Sequence, residues 1–174
     1  SIEAAIIPID DGPVEEWRDD LRLPEGEVGE IVVKGGQVTR EYFDAETHNR
    51  FGKIADGDAV RHRMGDVGRF DEQGRLWFYG RMSQRVIAGG ETLFSVPCEG
   101  VFNTHTDVFR SALVAAVVNS RTVPVICIET EPGIETSEHE RLRSELLDLG
   151  ASFEHTASIR TVLFYDAFPV DIRH

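Results

Sequence analysis

Two side chains in this sequence have types and spacing suited to joint binding chemistry. They are Asp66, in the run His62-Arg63-Met64-Gly65-Asp66-Val67-Gly68, and Arg81, which follows Gly80 one hairpin later. A carboxylate can accept hydrogen bonds from two vicinal hydroxyls, such as those of a ribose, and a guanidinium offers a fixed fork of donors. Held together, the two suit one polar, nucleotide-like ligand. Taken in isolation they also have a plainer reading, with Asp66 capping the Gly65 turn and Arg81 ending a hairpin in solvent.

The other reactive side chains do not gather into motifs. His48, His62, His105, His139, His155 and His174 form no close pair at metal-ligand spacing and have no cysteine beside them, so they read as surface or turn residues. Cys98 and Cys127 lack metal or redox spacing, which favours free thiols in a reducing compartment over a disulfide. No Gly-x-Ser-x-Gly elbow supports a hydrolase. Gly35-Gly36 and Gly89-Gly90 lack the spacing that aims several backbone donors at one phosphate.

Composition narrows the classes further. With 174 residues, 41% of them hydrophobic, the chain can form one large domain or two small ones. Its 18 basic and 31 acidic residues give a formal charge of −13, which repels phosphate backbones and anionic membranes and argues against nucleic acid as a partner. The longest apolar run, residues 112–118, is far too short for a membrane-spanning segment, and Ser1-Ile2-Glu3 opens no signal peptide. A soluble, cytoplasmic protein is expected.

The elements that position Asp66 and Arg81 read mainly as strands. Residues 2–9 are β-branched and apolar and stop at Asp10-Asp11-Gly12-Pro13, and residues 28–34 form a second strand ended by Gly35-Gly36. Residues 67–70 and 75–79 flank Asp71-Glu72-Gln73-Gly74, a loop of hairpin length and composition. Trp77-Phe78-Tyr79 alternates faces along a strand, which predicts core and rim positions. Beyond Gly80 the texture changes. Residues 84–88 read as a strand and 97–103 as a short helix with Pro97 in its first turn. Two apolar strands, 108–118 and 123–130, lie either side of Asn119-Ser120-Arg121. Ser137-Glu138-His139-Glu140 has capping-box spacing, and Leu142, Leu146 and Leu149 recur at helical spacing up to Gly150, a natural stop. Residues 159–165 supply a last strand. The pattern predicts an α+β protein, with a β-rich, barrel-like part over 1–82 and a small α+β part over 83–174.

With these segments in place, the chain resembles the C-terminal part of the adenylate-forming superfamily of acyl-CoA synthetases, luciferases and peptide-synthetase adenylation domains. The resemblance covers nearly the whole length. Gly29-Glu30-Ile31-Val32-Val33-Lys34-Gly35 matches that family's glycine-glutamate strand, Arg63-Met64-Gly65-Asp66 its tyrosine-arginine-threonine-glycine-aspartate motif, and Gly80-Arg81 its hinge glycine-arginine. Finer likeness to the β-lactone-forming branch of bacterial olefin biosynthesis comes from four runs. They are Lys53-Ile54-Ala55-Asp56-Gly57-Asp58, Arg61-His62-Arg63-Met64-Gly65-Asp66, Pro97-Cys98-Glu99-Gly100-Val101-Phe102-Asn103-Thr104-His105 and Phe168-Pro169-Val170-Asp171-Ile172-Arg173-His174.

The resemblance implies ATP-dependent activation of a long-chain fatty or β-hydroxy acid through an acyl-adenylate, with ATP and Mg²⁺ as cofactors. It implies β-lactone formation ahead of CoA ligation, a small-molecule acyl substrate, and partners in a hydrocarbon-biosynthesis pathway. Asp66 would accept both ribose hydroxyls, Arg81 would reach ribose or phosphate, and Ser83 would mark the hinge. Glu99 would stand at a helix start, as a structural acid. Ser83 and Gln84 depart from the usual aspartate after the hinge arginine, and Ile87-Ala88-Gly89-Gly90-Glu91 lacks the basic residue many CoA ligases carry there. The family's phosphate loop is expected upstream of Ser1 and its catalytic lysine beyond His174. Lys34 and Lys53 are the only lysines and neither fits that motif, so the chain by itself is expected to be inactive. A non-catalytic acidic α+β binding module is the alternative class.

Overall fold

The computed structural model describes residues 1–169. The end of the last resemblance run, Val170-Asp171-Ile172-Arg173-His174, lies outside the described residues. The chain divides into two compact units, the first spanning Ser1–Ser83 and the second starting at Gln84.

The first unit contains β1 (Ile2–Ile7), β2 (Gly29–Gly35), α1 (Glu46–Gly52), β3 (Lys53–Asp56), β4 (Ala59–Phe70) and β5 (Leu76–Arg81). Strand β1 ends before Pro8, which has no N–H to continue a ladder. All pairings are antiparallel, in the order β1-β2-β4-β3, with β5 also on β4. Strand β4, twelve residues long, organises the unit. One of its edges pairs with β2, and the other is shared between β3 near its start and β5 near its end. Among the described residues the sheet does not close into a barrel. Ala5, Ile7, Val32 and Ile54 are buried on one another, with Val14, Trp17 and Leu21 packed against them. Arg61 is buried beside this core. It bonds Asp56 and Glu3 at 2.9 and 3.0 Å, and its guanidinium lies 3.8 Å from the centre of the Trp17 ring.

One expectation for this unit is corrected. Trp77 and Phe78 are not core residues: with Leu76 they are 45–51% exposed. Strand β5 is an edge strand paired only with β4 among the described residues, and neither face of it is covered at Leu76, Trp77 and Phe78. The helix α1 and the short β3 follow a polar stretch too brief to show a period.

The second unit contains β6 (Val86–Ala88), β7 (Glu91–Leu93), α2 (Ser95–Phe102), β8 (Val108–Val118), β9 (Arg121–Thr130), α3 (His139–Ala151) and β10 (Val162–Tyr165). The small β6-β7 ribbon turns at Gly89-Gly90. Strands β8 and β9 form a hairpin whose two loop residues, Asn119 and Ser120, have φ of 49° and 61°, the left-handed pair of a type I′ turn. Strand β10 returns parallel to β9, and such a pairing requires a crossover, here α3. Helices α2 and α3 bury Cys98, Phe102, Leu142 and Leu146 against Leu113, Ile126, Ile128 and Val162 of the sheet.

Three local readings differ here. The capping box is made by Glu135 and Glu138 at a single turn leading into α3, not by Ser137 and Glu140. Gly150 is not a C-terminal stop, because α3 runs through it to Ala151 and Gly150 is a contact point: a Cβ there would stand 2.9 Å from Cζ of Phe102. Glu99 lies in the middle of α2, away from the helix start. Its Oε1 accepts the Leu113 N–H at 2.9 Å, while Ser111 Oγ donates to Asn103 Oδ1 at 2.8 Å. These bonds fasten α2 along β8, and burial of the Glu99 carboxyl pushes its pKa upward.

Candidate functional site

The hairpin register brings Asp66 and Arg81 face to face. Near the turn, Phe70 pairs with Leu76 and Gly68 with Phe78, but Val67 then pairs with Gly80, leaving Tyr79 as an extra residue on β5. Gly80 takes up this bulge with φ of 114°, a region that favours glycine. The shift of one residue sets Arg81 opposite Asp66. Without it Arg81 would project from the other face. Gly65, with φ of 66°, turns the backbone immediately before Asp66.

Asp66 Oδ1 lies 3.1 Å from Arg81 Nη1, and the same nitrogen donates to the Met64 carbonyl at 3.1 Å. The Asp66 side chain is 21% exposed and that of Arg81 58%, so the pair stands at the surface with its guanidinium in solvent.

Arg81 also lines an open cleft of about 760 Å³ that lies wholly within the first unit. Tyr42, Phe51, Met64 and Met82 supply much of its apolar wall. Asp66 is not part of the lining; it meets the cleft through Gly65 and through its ion pair with Arg81. His62 lines the cleft, with Nδ1 2.9 Å from the Gly52 carbonyl and Nε2 3.4 Å from the Tyr42 hydroxyl. A carbonyl only accepts, so Nδ1 carries the hydrogen toward Gly52.

Sequence reasoning did not single out the Glu30–Arg63 pair, which also lines this cleft. Both residues are buried. Arg63 Nε and Nη2 donate to Glu30 Oε2 at 2.9 and 2.6 Å, Nη1 to the Gly12 carbonyl at 2.6 Å, and Nη2 to the Asp10 carbonyl at 2.6 Å. The signal was present in part. Both residues lie within the quoted motifs, but their strands are neighbours only in the folded sheet, where Val32 pairs with Arg63.

Ser83 is the last residue of the first unit. Among the described residues no group of three or more His, Cys, Asp or Glu side chains is placed to hold a metal. Cys98 and Cys127 are both free and buried. No helix among the described residues is long and apolar enough to cross a membrane.

The described fold is that of the C-terminal segment of adenylate-forming enzymes. The o-succinylbenzoate CoA synthetase of Bacillus subtilis, solved in complex with the acyl-adenylate intermediate OSB-AMP, superposes with a TM-score of 0.70 at 25% identity, over 97% of this chain and 31% of that one. Within that class the sequence is similar to olefin β-lactone synthetases. The protein of that name from Xanthomonas campestris is 43% identical and the one from Stenotrophomonas maltophilia 44%, each over 99% of this chain and 32% of the relative. The chain therefore belongs to the adenylate-forming superfamily, and it spans about a third of the length of these relatives. No protein-family model matches it.

Proposed function

We propose that this chain is the C-terminal part of an ATP-dependent acyl-activating enzyme, and that Asp66 and Arg81 are its contribution to the nucleotide site. Asp66 accepts hydrogen bonds from the ribose hydroxyls of the adenylate, and Arg81 reaches the ribose or phosphate from the mouth of the cleft. Ser83, where the first unit ends, acts as the hinge. The observation that carries this reading is the facing pair itself, 3.1 Å apart beside an open cleft, in a chain 43% identical to an olefin β-lactone synthetase.

The chemistry needs such a site because a carboxylic acid is a poor electrophile. Its carboxylate oxygen attacks the α-phosphate of ATP, pyrophosphate leaves, and the acyl group becomes a mixed anhydride with a good leaving group. In a long-chain β-hydroxy acid the substrate's own hydroxyl then loses its proton and attacks the acyl carbonyl, AMP departs, and a four-membered lactone closes. Mg²⁺ enters with the phosphates of ATP, and no step is assigned to it in this chain.

A fatty acyl-CoA ligase is the second reading, favoured by the likeness to a CoA synthetase. Mass analysis of products from the full-length protein with a β-hydroxy acid, ATP and Mg²⁺ separates the two. The proposal expects AMP and β-lactone without CoA. A thioester formed only when CoA is supplied would replace it with the ligase reading, and release of neither product with any acid would leave the non-catalytic module.

A further inference from the structure

We infer that Glu30 is a positioning residue for the nucleotide site, acting through Arg63; this inference rests on the reading of Asp66 and Arg81 just given. The chain of contacts is continuous. The Glu30 carboxylate takes two donors from the Arg63 guanidinium, and the two remaining Arg63 bonds go to the Asp10 and Gly12 carbonyls. One side chain on β4 is thereby fixed to β2 and to the loop after β1. The next residue, Met64, supplies the carbonyl that holds Arg81 Nη1, and that nitrogen also contacts Asp66. Gly65, between Met64 and Asp66, has a turn conformation with no side chain to anchor it. The placement of Asp66 is set by Arg63 before the turn, by Arg81 opposite it, and by Val67 after it, which pairs with Glu30 and Gly80.

Burial makes this anchor stiff. The Arg63 and Glu30 side chains are 4% and 1% exposed, so neither charge can find water if the other is lost. Arg63 takes the backbone carbonyls of residues 10 and 12, a turn in which the Gly12 N–H donates to Asp10 Oδ1. An ion pair needed only to fill a core has no reason to stand in the lining of the cleft beside the ligand-binding arginine. Glu30 touches no proposed ligand atom, and its effect on binding is indirect.

Steady-state kinetics of ATP-dependent adenylate formation in the full-length protein test this, because loss of folded molecules and loss of site geometry leave different traces. Glu30→Gln is expected to raise KM for ATP by about tenfold or more with kcat nearly unchanged, since the contacts it misplaces bind ground state and transition state alike. Arg63→Lys, which keeps the charge and loses the fork, is expected to shift KM in the same direction. Ile54→Ala, a cavity on β3, is the comparison: it reduces the folded fraction, so apparent kcat falls and KM stays. If Glu30→Gln and Arg63→Lys both behave like Ile54→Ala, the pair is merely structural and the inference is overturned. Asp66→Ala separates the two layers of the argument. A raised KM there with normal KM in the Glu30 variant defeats this inference alone, whereas normal KM in both defeats the site assignment beneath it.

Discussion

Replacing Gly150 by alanine tests whether this glycine is a contact point or a helix stop. In a helix interior Gly→Ala alone gains about 1 kcal/mol from backbone entropy. At Gly150 the added Cβ would sit 2.9 Å from Cζ of Phe102, closer than real Cβ atoms approach, and a tight 3.1 Å from its Cε1, and Phe102 is fully buried. Overpacking of this kind costs about 1–3 kcal/mol, so Gly150→Ala should destabilise the second unit by about 1 kcal/mol net. Phe102→Leu removes the ring edge that the new methyl would strike. In that background the same Gly150→Ala change should stabilise, by about 1 kcal/mol from helix propensity with some cavity filling besides. The double-mutant cycle should thus show a coupling of about 2 kcal/mol and a change of sign. Urea denaturation is followed by far-UV circular dichroism, whose helical signal comes mostly from α2 and α3 of the second unit. Tryptophan fluorescence follows the first unit separately, because Trp17 and Trp77, the only tryptophans, both lie there. Equal effects of Gly150→Ala in both backgrounds would refute the contact argument.

Burial raises the Glu99 pKa above 4.5, so its ionised form is disfavoured in the folded chain: the cost is absent below about pH 4.5 and grows as pH rises through the folded pKa. Glu99→Gln keeps an acceptor for the Leu113 N–H and should be more stable than the parent at neutral pH, with the advantage vanishing in acid; denaturant midpoints across pH check this. Burial also pushes the Cys98 thiol up to about 11 and raises Cys127, so neither should react with a thiol reagent at pH 8 until denaturant is added. Rapid labelling of the native chain, counted by intact mass, would contradict their placement.

Much of this architecture was legible because strong local signals agreed. The β-branched run Ile31-Val32-Val33 makes β2, and the loop Asp71-Glu72-Gln73-Gly74 makes the hairpin that brings Asp66 and Arg81 near each other. Leu142 and Leu146 mark the buried stripe of α3. What escaped was set by contacts distant in sequence. Tyr79 gives no sign that it will be the extra residue on β5, yet that shift decides which face Arg81 takes. Glu30 and Arg63 lie 33 residues apart and become partners only when β2 and β4 align. Gly150 carries the same letter whether it ends a helix or admits a neighbour's ring. Trp77 alternates like a core residue, but pairing on one side only leaves it exposed, with its Nε1–H donated to Asp71 at 2.7 Å.

The Asp66 carboxylate is ion-paired with Arg81 through Oδ1, and engagement of both ribose hydroxyls draws on both of its oxygens. The decisive measurement is calorimetric titration of AMP and 2′,3′-dideoxy-AMP into the full-length protein and its Asp66→Ala variant. Hydrogen bonds to a charged group contribute about 1.5–3 kcal/mol each, so losing one costs the variant about tenfold to a hundredfold in AMP affinity and losing both should cost it more than about a hundredfold. It should lose almost nothing for the dideoxy analogue, which has no hydroxyls for Asp66 to hold. Equal affinity of AMP for the two proteins, or an equal loss for both ligands, would contradict the claim that this carboxylate grips the sugar.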